Sequence, residues 1–313
     1  MTAARPGLGI ALILVMAACF GTMDTSVKFV GAFVPVIIIL WCRYTVQAVS
    51  MAAWLSVSRR RPGGSGFNAA HPKFQVTRGM LLLSSSTCAF LGLQYLPVAE
   101  FTAIGMLTPV MATLLAGWLL KERIGAVRWM LVGGGFLGAL IVIRPGSGLF
   151  GWPVLLPLTG SLAYASFQVL TRKLAGLDSP FTTHFYTGLT GSLVIMVAMA
   201  VSSVDLAPFV ASAQPLHLAV LLAIGLLGTV GHLMLVLAFG LAPTSTLTPF
   251  QYTQIAFAAV ASWVVFRQVP DAWGWLGMAV VAACGATSAW LNVREAASVR
   301  QPVSPLTVDT VAD

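Results

Sequence analysis

Charge is scarce in this chain. Only 8% of its 313 residues are Asp, Glu, Lys or Arg, where a soluble domain carries roughly 25%. So few charges cannot coat a water-facing surface around a core of this size, which excludes an ordinary soluble globule. Cysteine is as sparse: Cys19, Cys42, Cys88 and Cys284 all sit in apolar runs with no CxxC or Cys/His spacing, which excludes a zinc site and a disulfide framework. No GxxxxGK[ST] phosphate loop occurs, so ATP does not drive work from this chain. The acids outside apolar segments, Glu122, Asp178, Asp205, Asp271, Glu295, Asp309 and Asp313, are scattered, so no metal and no cofactor is expected.

What the chain has in abundance is apolar length. The hydrophobic fraction is 58% and the mean hydropathy +0.90. A helix crossing about 30 Å of hydrocarbon needs about 20 such residues. Ten segments fit, at roughly 8–30, 34–57, 77–96, 99–120, 125–144, 151–171, 181–203, 216–238, 245–266 and 271–292. Transmembrane strands would be shorter and alternating, and these are not. The first run, LGIALILV followed by MAAC, could pass for a secretory signal; the nine segments after it favour a first helix. The expected fold is an all-α integral membrane protein.

Lys and Arg outnumber Asp and Glu by 17 to 9. No basic stripe with interleaved aromatics is present, so nucleic acid is not an expected partner; the excess follows the positive-inside rule. With the N-terminus inside, the inner loops, tails and helix ends hold Arg5, Arg59, Arg60, Arg61, Lys73, Arg78, Lys121, Arg123, Arg128, Arg172, Lys173, Arg294 and Arg300. The outer side holds Arg144 and Arg267, and Lys28 and Arg43 lie within helices. Both termini are therefore expected in the cytoplasm, with the chain in the cell (inner) membrane.

The chain also repeats itself. A shift of 144 residues sets Gly7 on Gly151, Phe20 on Tyr164 and Lys28 on Arg172; a shift of 146 sets Pro97 on Pro243, Thr102 on Thr248 and Trp129 on Trp275. Each half, 1–147 and 148–293, holds five helices, and 294–313 reads as a polar cytoplasmic tail. An odd helix number turns the second half over in the membrane. Inverted repeats of this kind let two halves rock about a central site, which is a transporter design.

Several stretches carry a family resemblance: FGTMDTSVKFV, the pair Arg43-Tyr44, LQYLPVAEFTAIGMLTPVMATLLAGWLLKERIG, QVLTRKL and FQYTQIAFAAVASWVVFRQVPDAWGWLG. On these the chain resembles the EamA-type members of the drug/metabolite transporter superfamily, over about 8–293 as two tandem units. The resemblance implies ten helices, two inverted five-helix repeats and a central cavity open alternately to each side. It implies cargo such as amino acids, nucleotide-type metabolites such as S-adenosylmethionine, vitamins such as riboflavin, or toxic compounds. The second half departs from the pattern, with Gln268 and Val269 where the first has Glu122 and Arg123.

Ionisable residues inside apolar segments are the sharpest features, since a charge at the helix centre costs at least about 2.5 kcal/mol. Asp24 and Lys28 share a face of the first helix, about 7 and about 13 Å outward of its middle; Arg43 lies about 4 Å outward in the second. Similar depths predict the pairs Asp24–Arg43 and Lys28–Glu100. Such pairs either staple helices or line a pathway, and both readings stand. His232, near the middle of the eighth helix, is either a substrate contact or a helix-to-helix hydrogen bond. Gln168, Gln251, Tyr252, Thr253 and Gln254 bring amides and hydroxyls inside; Tyr164 and Phe167, with Phe20, Trp41, Tyr44 and Phe90, offer ring faces for a planar cargo. Pro109, Pro157 and Pro249 are candidate helix breaks. The run GGGFLG at 133–138 matches a dinucleotide fingerprint but follows no strand, and reads as a helix-packing face.

The function this supports is a secondary transporter of a small polar or aromatic metabolite, not an enzyme. Its expected partners are that substrate, the bilayer, protons as coupling ion and a second copy in a homodimer. The competing class is a membrane enzyme acting on a lipid-type substrate, which would need acids or histidines gathered at one face.

Overall fold

The computed structural model describes residues 6–60, 65–108, 110–112, 114–115, 126–143, 151–174, 177–202, 214–241, 247 and 250–298. Pro109, Pro249, Glu122 and the chain beyond 298 lie outside these residues.

The described chain is helical. Its elements are α1 (Pro6–Val30), α2 (Val36–Ser58), α3 (Pro72–Tyr95), α4 (Val98–Gly105), α5 (Ala126–Ile143), α6 (Leu155–Leu174, led in by a 3-10 turn at Trp152–Val154), α7 (Pro180–Val201), α8 (Pro215–Leu241), α9 (Thr253–Phe266) and α10 (Ala272–Ser298). Six are long and apolar enough to cross a membrane; α5, α9 and α10 hold shorter apolar stretches, as does the segment begun by α4. Proline opens α1, α3, α7 and α8, at a position where its missing N–H would have had no intrahelical partner.

Boundaries differ from the hydropathy reading in two places. Helix α3 starts at Pro72, earlier than expected, because the polar run PKFQVTR is helical. Helix α10 continues through Ser298, into the stretch read as tail.

The segment expected as one helix over 99–120 is interrupted: α4 ends at Gly105, and helical hydrogen bonding resumes with Met111 N–H to the Leu107 carbonyl. Residue 109 is proline and has no N–H to offer the carbonyl four residues back. That carbonyl, of Gly105, instead accepts from Thr108 Oγ1 at 2.8 Å and Ser161 Oγ at 3.2 Å. Pro157, by contrast, stands in the first turn of α6, where no bond is lost.

Neighbours pack as α1 on α8 and α9, α2 on α7 and α8, α3 on α6 and α7, and α5 on α10. The α3–α6 pair runs antiparallel, with Tyr95 beside Trp152 at one end and Arg78 bonded to Thr171 at the other. GGGFLG is a packing face: a Cβ at Gly138 would stand 2.9 Å from the Val281 nitrogen and 3.0 Å from the Gly277 carbonyl.

Polarity is inverted relative to a soluble protein. Val49, Val57, Met130, Leu137, Val197, Val260 and Trp263 face outward, while Arg43, Gln47, Arg78 and His184 are buried. A lipid-facing surface accounts for the first set and internal hydrogen bonding for the second. The described residues thus have the helical, outwardly apolar build of a membrane protein.

Candidate functional site

One cavity of about 700 Å³, counted to its open mouth, lies among α1, α2, α3, α4, α6, α8 and α9. Its walls carry Asp24, Arg43, His232 and Gln254, the hydroxyls of Ser85, Ser86, Thr102 and Ser161, and the rings of Phe20, Phe90, Phe101 and Tyr164. A largely apolar pocket with a few convergent polar groups is what a small-molecule site looks like. Among the described residues no three His, Cys, Asp or Glu side chains gather as metal ligands.

Asp24 and Arg43 are 6% and 1% exposed. They share the cavity wall but form no ion pair, which corrects the expected bond. Gln254 Nε2 donates to Asp24 Oδ2 at 3.5 Å. The Arg43 guanidinium lies 4.6 Å from the Tyr44 ring and 5.9 Å from that of Phe90, with Nη2 3.4 Å from His232 Nδ1. Its Nε and Nη1 have no partner. Glycine at 228 makes room for this side chain: a Cβ there would stand 3.0 Å from Arg43 Nε.

His232 Nδ1 is 3.0 Å from the Gly228 carbonyl. A carbonyl only accepts, so Nδ1 carries the proton and cannot also accept from Arg43. The ring packs 4.6 Å from Phe20 and against Tyr164 and Phe167. The expected helix-to-helix bond is corrected: His232 bonds within its own helix, while its side chain lines the cavity.

Other expected residues lie elsewhere. Lys28 Nζ donates to the Leu93 and Leu96 carbonyls at 3.0 and 2.8 Å, closing the C-terminus of α3, within electrostatic reach of Glu100. Glu100 is buried near the start of α10, its Oε1 3.8 Å from where a Cβ on Gly274 would be. Tyr252 packs its ring on Gly285 of α10. Gln168 and Gln251 are buried but, like Tyr252, are absent from the cavity wall. Of the ring-bearing candidates, Phe20, Phe90 and Tyr164 reach the cavity. Phe167 instead lies 4.6 Å under the Arg78 guanidinium, and the Tyr44 hydroxyl donates to Ser86.

Arg78 was counted with the charges at the cytoplasmic helix end; it is fully buried. Its Nε donates to Thr171 Oγ1 at 2.7 Å, and its Nη1 to the Thr183 carbonyl at 3.0 Å and Thr187 Oγ1 at 2.9 Å. Beside it, His184 Nε2 donates to the Thr229 carbonyl at 3.1 Å, and Gln47 Nε2 donates to the His184 carbonyl at 2.9 Å. Gln75 Nε2 continues the cluster to Asp178 at 2.8 Å, and Asp178 accepts the Ala70 N–H. The bundle is thus filled with hydrogen-bonded polar side chains at the end where α3 begins, with Gln47 Oε1 and Gln75 Oε1 left without a partner, and hollow toward the end where it stops. The start of α3 at Pro72 is the signal that would have placed Arg78 two turns inside.

The model of the EamA-like transporter family matches this chain twice, over residues 7–144 and 151–287. The chain belongs to the EamA-like transporter family. It is 29% identical over 222 residues to the riboflavin transporter of Rhizobium johnstonii, covering 71% of this chain and 72% of that one. To the S-adenosylmethionine uptake transporter of Rickettsia bellii it is 23% identical over 264 residues, covering 84% and 87%. To the pseudopaline exporter of Pseudomonas aeruginosa it is 25% identical over 283 residues, covering 90% and 95%. A crystal structure aligns with it over 92% of this chain and 98% of the other, with a TM-score of 0.62 and 16% identity; that likeness concerns the fold alone. Family membership makes the chain a multi-pass membrane transporter, and sets the membrane-enzyme reading aside.

Proposed function

We propose that this EamA-family chain moves a small polar or aromatic metabolite by alternating access through the cavity between its helices. The observation carrying this reading is that cavity: it holds a carboxylate and a guanidinium, Asp24 and Arg43, inside a bundle whose outer faces are apolar. Membrane proteins keep ionisable groups inside for pathways or for pairs, and these two are not bonded to each other. The relatives' named cargoes, riboflavin, S-adenosylmethionine and pseudopaline, make a vitamin, a nucleotide-type metabolite or an amino-acid derivative the cargo classes to try first.

In this reading ten helices cross the inner membrane as two inverted repeats, 1–147 and 148–293, with both termini in the cytoplasm. The cavity then opens outward, and the cluster around Arg78 closes the cytoplasmic side. Asp24, the carboxylate on the cavity wall, is the candidate proton carrier where accumulation occurs.

The test is flux. Purified protein in proteoliposomes is loaded with a radiolabelled panel of riboflavin, S-adenosylmethionine and amino acids, and uptake and counterflow are measured. Saturable counterflow of at least one compound, lost with Arg43→Gln, is expected. Movement of none, alongside turnover of a lipid substrate, would contradict the reading.

A further inference from the structure

Among the described residues two arginines are buried, and they are not alike. Arg78 meets Thr171, Thr183 and Thr187 and stacks on Phe167, with no acid needed. Arg43, 1% exposed, has nothing on Nε or Nη1. Its Nη2 contact, 3.4 Å to a histidine nitrogen that already donates to the Gly228 carbonyl, is no real acceptor. Asp24, on the same wall, is bonded to Gln254 and not to Arg43.

A buried guanidinium with empty donors is costly unless something completes it. The fork geometry suits a carboxylate or phosphate, whose oxygens accept in pairs. Room for such a group exists, because Arg43 lines the cavity together with the hydroxyls of Ser85 and Ser86. The rings of Phe20, Phe90 and Tyr164 on the same walls give the rest of the molecule an apolar, planar-tolerant bed.

We infer that Arg43 anchors an oxyanion on the cargo, so that the transported molecule carries a carboxylate or phosphate beside an aromatic or apolar body; among the relatives' cargoes this favours S-adenosylmethionine and pseudopaline over riboflavin, which has neither group. Asp24 acts on this arginine only through space, across the cavity, and occupies none of its donors. It adds a negative charge to the same cavity and so weakens binding of a purely anionic compound. A cargo with a cationic or amide group beside its oxyanion uses both residues at once.

The inference rests on the cavity being the cargo site, and it is tested by binding, which can fail separately from flux. Full-length protein in detergent is unfolded thermally with benzoate, phenyl phosphate or benzamide, three probes of one ring size. Affinity in the millimolar range is what ligands this small reach. At about ten times that dissociation constant, the expected rise in unfolding temperature is about 2 °C. Benzoate, phenyl phosphate or both should give it, and which one acts tells carboxylate from phosphate. Benzamide should not. Arg43→Gln should abolish the rise and Arg43→Lys should keep a weaker one; Asp24→Asn should tighten benzoate binding several-fold. Equal shifts from benzamide and benzoate, no shift from either anion, or a benzoate shift surviving Arg43→Gln would overturn the inference. Should Arg43→Gln fail to fold, the Asp24→Asn arm and the benzamide contrast still decide it. Probe binding without flux of any metabolite would sink the transport reading and leave the anchor standing; flux without anion binding would do the reverse.

Discussion

Asp24 and Arg43 line one cavity and do not bond: Asp24 is held by Gln254 across α9, Arg43 by the packing of Gly228, Tyr44 and Phe90. Breaking a bonded buried ion pair costs 3–5 kcal/mol, with strong coupling between the partners, at about the scale known for such pairs. Here a double-mutant cycle of Asp24→Asn and Arg43→Gln should couple by less than about 1 kcal/mol in unfolding free energy, while Arg43→Gln loses transport and Asp24→Asn loses accumulation. A coupling of about 3 kcal/mol would mean that the two close into a pair. If Asp24 carries the proton, Asp24→Asn also keeps substrate exchange and loses accumulation. Wild-type accumulation surviving collapse of the proton gradient would end that assignment.

Gly228 separates site geometry from stability. Alanine in a helix interior is about 1 kcal/mol better than glycine, but its Cβ would press on Arg43 Nε from 3.0 Å. Gly228→Ala should therefore unfold at a temperature close to wild type yet transport several-fold more slowly. Unchanged flux would show that the guanidinium position is unimportant.

Arg78 is the opposite case. Removing it leaves the Thr171 and Thr187 hydroxyl oxygens without their donor within a closed core, and the Thr183 carbonyl with the Thr187 hydroxyl alone among side-chain donors. Arg78→Met should destabilise by about 2–4 kcal/mol, read by thermal unfolding. Arg78→Lys should recover only part, because one ammonium cannot reproduce the fork and its stack on Phe167. Full recovery by lysine would reduce the role of Arg78 to charge alone.

Orientation is read by labelling. In a variant with Cys19, Cys42, Cys88 and Cys284 replaced, a cysteine at exposed Ala32 between α1 and α2 should react with an impermeant reagent from outside. One at exposed Asn68, in the segment tied to Tyr186 of α7 and to Asp178 just before it, should not. The reverse pattern would invert the topology.

Much of this was legible in the sequence because hydropathy is a one-dimensional signal. Apolar length gave the helices; the single ionisable residues Asp24 and Arg43 marked the cavity wall. Depth along a helix was legible too, through the rise per residue, and it brought Asp24 and Arg43 to one level. What it lacks is azimuth. Tyr252 and Gln254 are neighbours in one polar run, yet one faces α10 and the other Asp24, since successive helical residues point about 100° apart. Arg78 was misplaced because its helix begins in a polar stretch that hydropathy reads as loop. Nothing in the sequence singles out Ser85, Ser86 or Thr102 as lining residues; only the packing of seven helices turns them toward one space.

The most direct test of the central claim is whether the cavity is reached from both sides of the membrane. Ser85, on the cavity wall, is replaced by cysteine in the cysteine-free background. The variant is exposed to an impermeant thiol reagent in right-side-out and in inside-out vesicles. Alternating access through this cavity gives labelling from either side, substrate protection in both preparations, and loss of flux once labelled. Labelling from one side only, or full flux after labelling, would contradict the account.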